Sequence, residues 1–253
     1  MKKLFIPFQQ LSKSTVTILA GGQVAIALVL WQACSNGLIP QPLKVADAFL
    51  QLLGSKTLLD NLLTSIGLTV QALLYSIAIT LVFAYLSVIP FFSAVAHFLV
   101  KCRYLTLTGL IFIFTLLTQN GSQLKLSLLI FGMVPFFVTS LLSIITNMNK
   151  QEYDLCKTLG YNNWQTLYET VIIGKAGNVL EILQQNFAIA WLMITLVEGL
   201  NMSEGGIGAM MIKYNKYNNL AYVLALQLII FLLGLCFDCL LGVLRKWLFP
   251  YTR

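Results

Sequence analysis

Long stretches without a single Asp, Glu, Lys or Arg are what most restrict this chain. Residues 14–43 form one such stretch, residues 61–96 another, and further ones follow to the C-terminal region. A helix needs about 20 predominantly apolar residues to cross the hydrocarbon core of a bilayer, and several of these stretches are long enough. Only 10% of the residues are charged and 58% are hydrophobic, against roughly 25% charged in a soluble domain. A soluble fold of this size has no core large enough to hide that much apolar surface. Lipid accepts such faces, so the chain reads as an integral membrane protein, all-α, with about six transmembrane helices. One membrane domain over 1–253 uses up the length and leaves no room for a separate catalytic domain.

The spans are expected at 15–34, 65–89, 104–119, 125–146, 180–200 and 219–243. Pro40 and Pro42 end the first, Pro90 closes the second, and Gln119-Asn120-Gly121 ends the third. Residues 45–59 read as a short interfacial helix. Met1-Lys2-Lys3 ahead of an apolar run mimics a signal peptide. The run is long enough to span and more spans follow, so it is expected to be a retained helix. Cys34 follows Trp31-Gln32-Ala33, a poor lipoprotein cleavage box.

The net charge of +7 does not point to nucleic acid, because the basic residues are scattered between apolar runs and form no stripe. Their placement fits a topology. With the N-terminus inside, the cytoplasmic segments carry Lys2, Lys3, Lys13, Lys101, Arg103, Lys150, Lys157, Lys175, Arg245, Lys246 and Arg253. The outer segments carry Lys44, Lys56, Lys125, Lys213 and Lys216. That division is 11 against 5, accounting for all 16. The positive-inside rule then puts both termini in the cytoplasm and requires an even number of spans. Trp31 and Trp247 fit interfacial belts.

Metal and thiol chemistry find little support. His97 is the only histidine, which excludes a histidine-based metal cluster. The cysteines Cys34, Cys102, Cys156, Cys236 and Cys239 lack zinc-site spacing and read as small apolar packers. No cofactor is expected. A membrane-embedded enzyme would need convergent Asp, His or Glu within the spans, and there are too few. That reading, and a membrane assembly or scaffold protein without a pathway, stand as the alternatives to transport.

The polar stretch 150–177, KQEYDLCKTLGYNNWQTLYETVIIGKAG, interrupts the apolar pattern. Residues 152–159 read as a short helix with Gly160 as its stop, since glycine tolerates the left-handed cap position. Asn162 with Gln165 three residues on forms a capping-box pattern that starts a second helix carrying Trp164, Leu167, Val171 and Ile172. A structured hairpin between two spans, with apolar residues on it, docks onto something.

Here the chain resembles the permease subunits of ABC importers. Their hallmark is a cytoplasmic loop with Glu-Ala-Ala, three residues, Gly, nine residues, then Ile-x-Leu-Pro. Asp154-Leu155-Cys156 fall on the Glu-Ala-Ala positions and Gly160 on the glycine; Thr170, Ile172 and Ile173 fall on the Ile, Leu and Pro positions. Ile173 and Gly177 stand where prolines are usual. The wider stretch TLGYNNWQTLYETVI looks like the loop of nitrate/sulfonate/taurine-type permeases. Trp191 and Glu198 fall where those permeases commonly have Ala-Trp and Ala-Glu. Ser203-Glu204-Gly205-Gly206-Ile207-Gly208 resembles their Gly-Leu-Gly or Gly-Ile-Gly. Gln119-Asn120-Gly121 with Lys125 resembles their Phe-Gly-x-Gly…Ser-Lys connection. The resemblance covers about residues 60–245.

The resemblance implies a type I importer permease bundle in the bacterial inner membrane. It implies cytoplasmic ATP-binding subunits, a second permease copy (a homodimer), an external substrate-binding protein, and a small solute as cargo. The chain has no G-x-x-x-x-G-K-[ST] phosphate loop, so energy would arrive mechanically. The coupling residues implied are Asp154, Leu155, Cys156, Leu159, Gly160 and Trp164. Glu198, an acid within a span, either belongs to the pathway or gate together with Trp191, or hydrogen-bonds backbone near Gly205-Gly206. Asp238 is expected to snorkel or pair near Arg245 and Lys246. Gln184, Gln185 and Asn186 would either bond helices together or wet a pore. Gly205-Gly206-x-Gly208 reads as a turn or re-entrant segment.

Overall fold

The computed structural model describes residues 12–35, 39–148 and 150–248. Lys2, Lys3 and Arg253, counted in the charge balance above, lie outside them. All regular structure among the described residues is helical. The first helices are α1 (Lys13–Cys34), α2 (Pro42–Leu53), α3 (Lys56–Leu86), α4 (Pro90–Lys101), α5 (Leu107–Leu117) and α6 (Gly121–Thr146). The chain continues through α7 (Lys150–Thr158), α8 (Asn163–Leu167), α9 (Ala176–Leu200), α10 (Ile207–Lys216) and α11 (Leu220–Leu248). Five of them, α1, α3, α6, α9 and α11, are long and apolar enough to cross a bilayer.

Expectation and structure part in two places. The short interfacial helix is α2, which stops at Gly54, so α3 begins at Lys56 rather than at 65 and runs 31 residues. The span expected at 104–119 is not one straight helix. Helix α5 has 11 residues, about 16 Å at 1.5 Å per residue, which is half of a ~30 Å hydrocarbon core. It meets the preceding segment Pro90–Tyr104 at 112°. Lys101 and Arg103 lie just before that corner.

The helix directions show what the bent pair does. Ser65 of α3 bonds Glu198, near the end of α9, and Lys125, early in α6, bonds Gly205 just beyond α9. Further along, Ile77, Thr80 and Leu81 of α3 meet Phe137 and Leu141 of α6 around one small cavity. So α3 and α6 run parallel, and the chain must return between them. The bent pair α4–α5 makes that return, as a broken sixth passage. Ser35, just past α1, shares a cavity with residues 218–221 at the start of α11. Hence α1 begins, and α11 ends, at the end of the bundle opposite Glu198. That opposite end also carries the 150–175 segment between α6 and α9.

The tightest pair is α3 with α6. Its α3 face is built of small residues, with Ser65, Ala72, Ser76, Thr80 and Ala84 all buried. Small side chains let backbones approach, and van der Waals packing drives helix association in lipid. Gly132 of α6 serves the same purpose: a Cβ there would lie 2.9 Å from the Met193 sulfur and 3.3 Å from Leu107. Phe187 stacks on Trp191, and Phe237 leans against both, where α9 meets α11.

Candidate functional site

At the 150–175 end, local chemistry fixes the hairpin. Helix α7 closes with a Schellman motif. The amide of Tyr161 donates to the Cys156 carbonyl at 3.1 Å, and that of Gly160 to the Lys157 carbonyl at 3.0 Å. The motif needs a left-handed residue, and Gly160 supplies φ +79°. Two residues later the capping box forms: the Gln165 side chain accepts from the Asn162 amide at 2.9 Å, and the Asn162 side chain returns the contact to the start of α8. Lys157 reaches across the turn to Asn163. Glu152 pairs with Lys175 at 2.9 Å, which ties the start of α7 to the start of α9. Between α8 and α9 the chain widens into one π-helical turn, Tyr168–Ile173. The position where the resemblance has a proline, Ile173, is the last residue of that turn.

The six residues expected to couple do not share one face. Leu155, Leu159 and Trp164 are 61%, 62% and 66% exposed, and Asp154 and Gly160 are also on the surface. Leu155 and Leu159 are four residues apart on α7 and so lie on one face. Cys156 is 8% exposed and faces inward; its carbonyl, not its thiol, takes part in the cap. Tyr153, Tyr161 and Tyr168 add to the exposed aromatic surface. Three large apolar side chains are thus left exposed on a capped, ion-paired hairpin.

At the other end, Glu198 is fully buried. Its carboxyl group accepts from the Ser65 hydroxyl at 2.6 Å and from the Gly208 amide at 2.9 Å. Ser65 Oγ in turn accepts from the Ile207 amide at 2.9 Å. Asn61 Oδ1 accepts from the Gly206 amide at 2.7 Å, and Lys125 Nζ donates to the Gly205 carbonyl at 2.9 Å. A glycine turn is thus wrapped around a buried carboxyl by side chains from α3, α6 and α9. Gly205 and Gly206 have positive φ, +70° and +107°. A Cβ on Gly206 would overlap the Glu198 carboxyl, and one on Gly208 would overlap the Thr195 carbonyl. Only glycine admits so close an approach at these positions. This is the arrangement of a carboxyl bonded to the backbone beside Gly205-Gly206.

Lys125, counted in an outer segment, lies buried near the start of α6, where its Nζ bonds the Gly205 carbonyl. Asp238 is paired, but not with Arg245. Arg245 pairs with Glu181 at 3.3 Å, and Asp238 instead accepts from Gln184 Nε2 at 3.2 Å. Asn186 bonds Ser140 of α6 at 3.1 Å. Gln184 and Asn186 therefore bond helices together. Trp191 is buried between α9 and α11, and its Nε1 donates to the Ile230 carbonyl at 3.0 Å. It forms one wall of a 380 Å³ cavity that also meets Thr195, Gln227 and Asp238. Sequence reasoning missed Ser65 as the partner of Glu198, and Asn61 and Lys125 as partners of the glycine turn. The signal was faint: Asn61 and Ser65 are four apart on an apolar helix, and Lys125 is a lone charge at the head of one.

The family model described as "Binding-protein-dependent transport system inner membrane component" matches residues 49–250. The matched region includes the hairpin, the glycine turn and five of the six passages. Among curated proteins, none matches the chain.

Proposed function

Because the chain belongs to the family of binding-protein-dependent transport system inner membrane components, and so is a multi-pass ABC transporter permease, we propose that it serves an ATP-driven importer of the nitrate/sulfonate/taurine type. The whole chain acts as one permease domain in a bacterial inner membrane. ATP is hydrolysed on separate subunits that dock at 150–177, and both termini are cytoplasmic. A second copy of the chain pairs with it around the route of a small solute, which an external binding protein delivers.

The observation that carries this reading is the capped hairpin with Leu155, Leu159 and Trp164 exposed. Its rigidity lets it transmit force. Glu152–Lys175 and the π-helical turn link it to α9, and α9 extends 25 residues, about 37 Å, to the glycine turn. Closure of the ATPase around the hairpin then tilts α9 and, through Glu198, carries α10 and α3 with it. In this reading Glu198 and Trp191 are fixed points of the gate: they hold its walls and do not face the solute. Alternating access requires no covalent catalysis.

Co-expression with the ATPase subunit tests the proposal. The pair should purify together and hydrolyse ATP faster when binding protein and solute are added to the reconstituted complex. A chain with 152–164 replaced by a Gly/Ser linker that still recruits and activates the ATPase would refute it.

A further inference from the structure

We propose that the groove between α9 and α11 is a station on the solute's route, and that Asp238 at its inner end selects solutes carrying a positively charged nitrogen on an apolar body. This rests on the importer reading above and narrows its cargo.

The groove has a volume of 380 Å³, within the range of small-molecule sites, about 300–1,000 Å³. Phe187 and Trp191, both buried, back it, and Leu192, Phe231 and Leu235, all exposed, form its rim. Polar groups mark both ends. Thr195 of α9 and Gln227 of α11 lie toward the glycine turn, and Asp238 lies further along α11, about 16 Å from Gln227 at 1.5 Å per residue.

Asp238 decides what this face can meet. The apolar stretch 239–244 separates it from Arg245, and Cα–Cβ bonds tilt toward a helix's N-terminus. Its short side chain therefore leans into the span and lines the groove. An acid is costly against lipid, so acids within spans face a wet cavity, a pathway or a partner charge. A second copy seated tightly on the groove brings no such charge, because the exposed span faces carry no Lys or Arg away from the helix ends. Gln184 Nε2 bonds Oδ1 of Asp238, and Gln184 is held against Gly242, where a Cβ would lie 3.3 Å from Nε2. Among the described residues no bond reaches Oδ2, and no Lys or Arg pairs with Asp238. A carboxylate offers about four acceptor sites, so most of its capacity is left for an occupant. A positively charged nitrogen meets it with a charge-assisted hydrogen bond. Phe231, two turns away on the same face of α11 and 59% exposed, offers its ring to the rest of such a molecule. A simple anion would be repelled.

The test uses the full permease–ATPase complex in lipid nanodiscs, with the native cysteines replaced by alanine and Leu235→Cys as reporter. Position 235 lines the groove one turn from Asp238. Two thiol reagents of similar size probe it, a trimethylammonium-ethyl and a sulfonatoethyl methanethiosulfonate. Relative to their rates with free cysteine, the cationic reagent should react about tenfold faster, the discrimination that a unit charge about 5–6 Å away gives in a water-filled groove. Asp238→Asn, which keeps the acceptor for Gln184, should abolish the preference, and Asp238→Glu should retain it. Millimolar benzyltrimethylammonium should slow the reaction several-fold, and phenylmethanesulfonate, similar in shape but anionic, should not. Leu240→Cys, exposed on another face of α11, should react with neither reagent. No reaction at 235 would overturn the proposal, because the face would then meet lipid or be sealed by a second copy. Equal rates, a preference that survives Asp238→Asn, or protection by the sulfonate would overturn it as well. Failure of the ATPase to co-purify would refute the importer reading and this proposal with it, a result distinct from any failure at position 235.

Discussion

Gly160 is the position at which the hairpin is most easily broken without touching a span. Its φ of +79° is required by the Schellman motif, yet a Cβ built on it meets nothing within 4 Å. The cost of a side chain there is conformational, not steric crowding. For an ordinary L-residue the left-handed region costs about 1–2 kcal/mol, which lowers the population of the native turn about 5- to 30-fold. Val adds the restriction of a β-branched side chain at positive φ and should fall at or beyond the upper end. Asn tolerates the left-handed region, so Gly160→Asn should dock nearly as well as glycine. The assay is co-purification of the ATPase with the membrane-inserted permease, alongside transport in vesicles. The expected order is Gly, then Asn, then Ala, then Val, with membrane insertion unchanged throughout. An Asn variant as defective as Val would refute the conformational reasoning, and would mean that the partner occupies the space beside Gly160. A fully active Val variant would show that the turn is not needed for docking.

The glycine turn gives a second prediction. Gly208→Ala sets a methyl group against the Thr195 carbonyl and should sharply reduce the yield of folded permease, read by size-exclusion profile. Glu198→Gln keeps one acceptor but puts an NH2 group where the Ser65 hydroxyl or the Gly208 amide needs an oxygen. The loss is about 1–3 kcal/mol, visible as a lower unfolding temperature and altered transport; an unchanged melting curve and normal transport would show that the knot contributes nothing. Trp191→Phe removes the Nε1 bond to Ile230 and should cost about 1 kcal/mol in the same unfolding assay. For topology, single cysteines at 44 and 213 should react with an impermeant thiol reagent in intact cells, and those at 101 and 157 only after the membrane is opened.

The long passages were legible in the sequence because charge is so costly in lipid that its absence marks them. The hairpin was legible as well. A glycine stop and an Asn162–Gln165 capping box are local patterns, and both formed where the residues place them. The bent pair was not legible. Residues 104–119 are apolar enough for a span, and no local signal says that the chain arrives at them from the side. The wrapping around Glu198 was half legible. An acid in an apolar helix near a run of glycines suggests a backbone contact, but Ser65 and Lys125 come from 133 and 80 residues away along the bonded pairs. Only packing of α3, α6 and α9 brings them together. Arg245 and Asp238 show the same limit: proximity in sequence suggested a pair, and Glu181 and Gln184 took the two partners instead.

The most direct measurement for the coupling hairpin is site-directed crosslinking in the intact transporter. Cysteines replacing Leu155 and Leu159, on the exposed face of α7, should form disulfides or short-spacer crosslinks to an ATP-binding subunit. These crosslinks should change when ATP is trapped there, while the native Cys156, buried behind them, stays unreacted. Absence of any crosslink from 155 and 159 in a complex that hydrolyses ATP and transports normally would contradict the assignment of this hairpin as the coupling element.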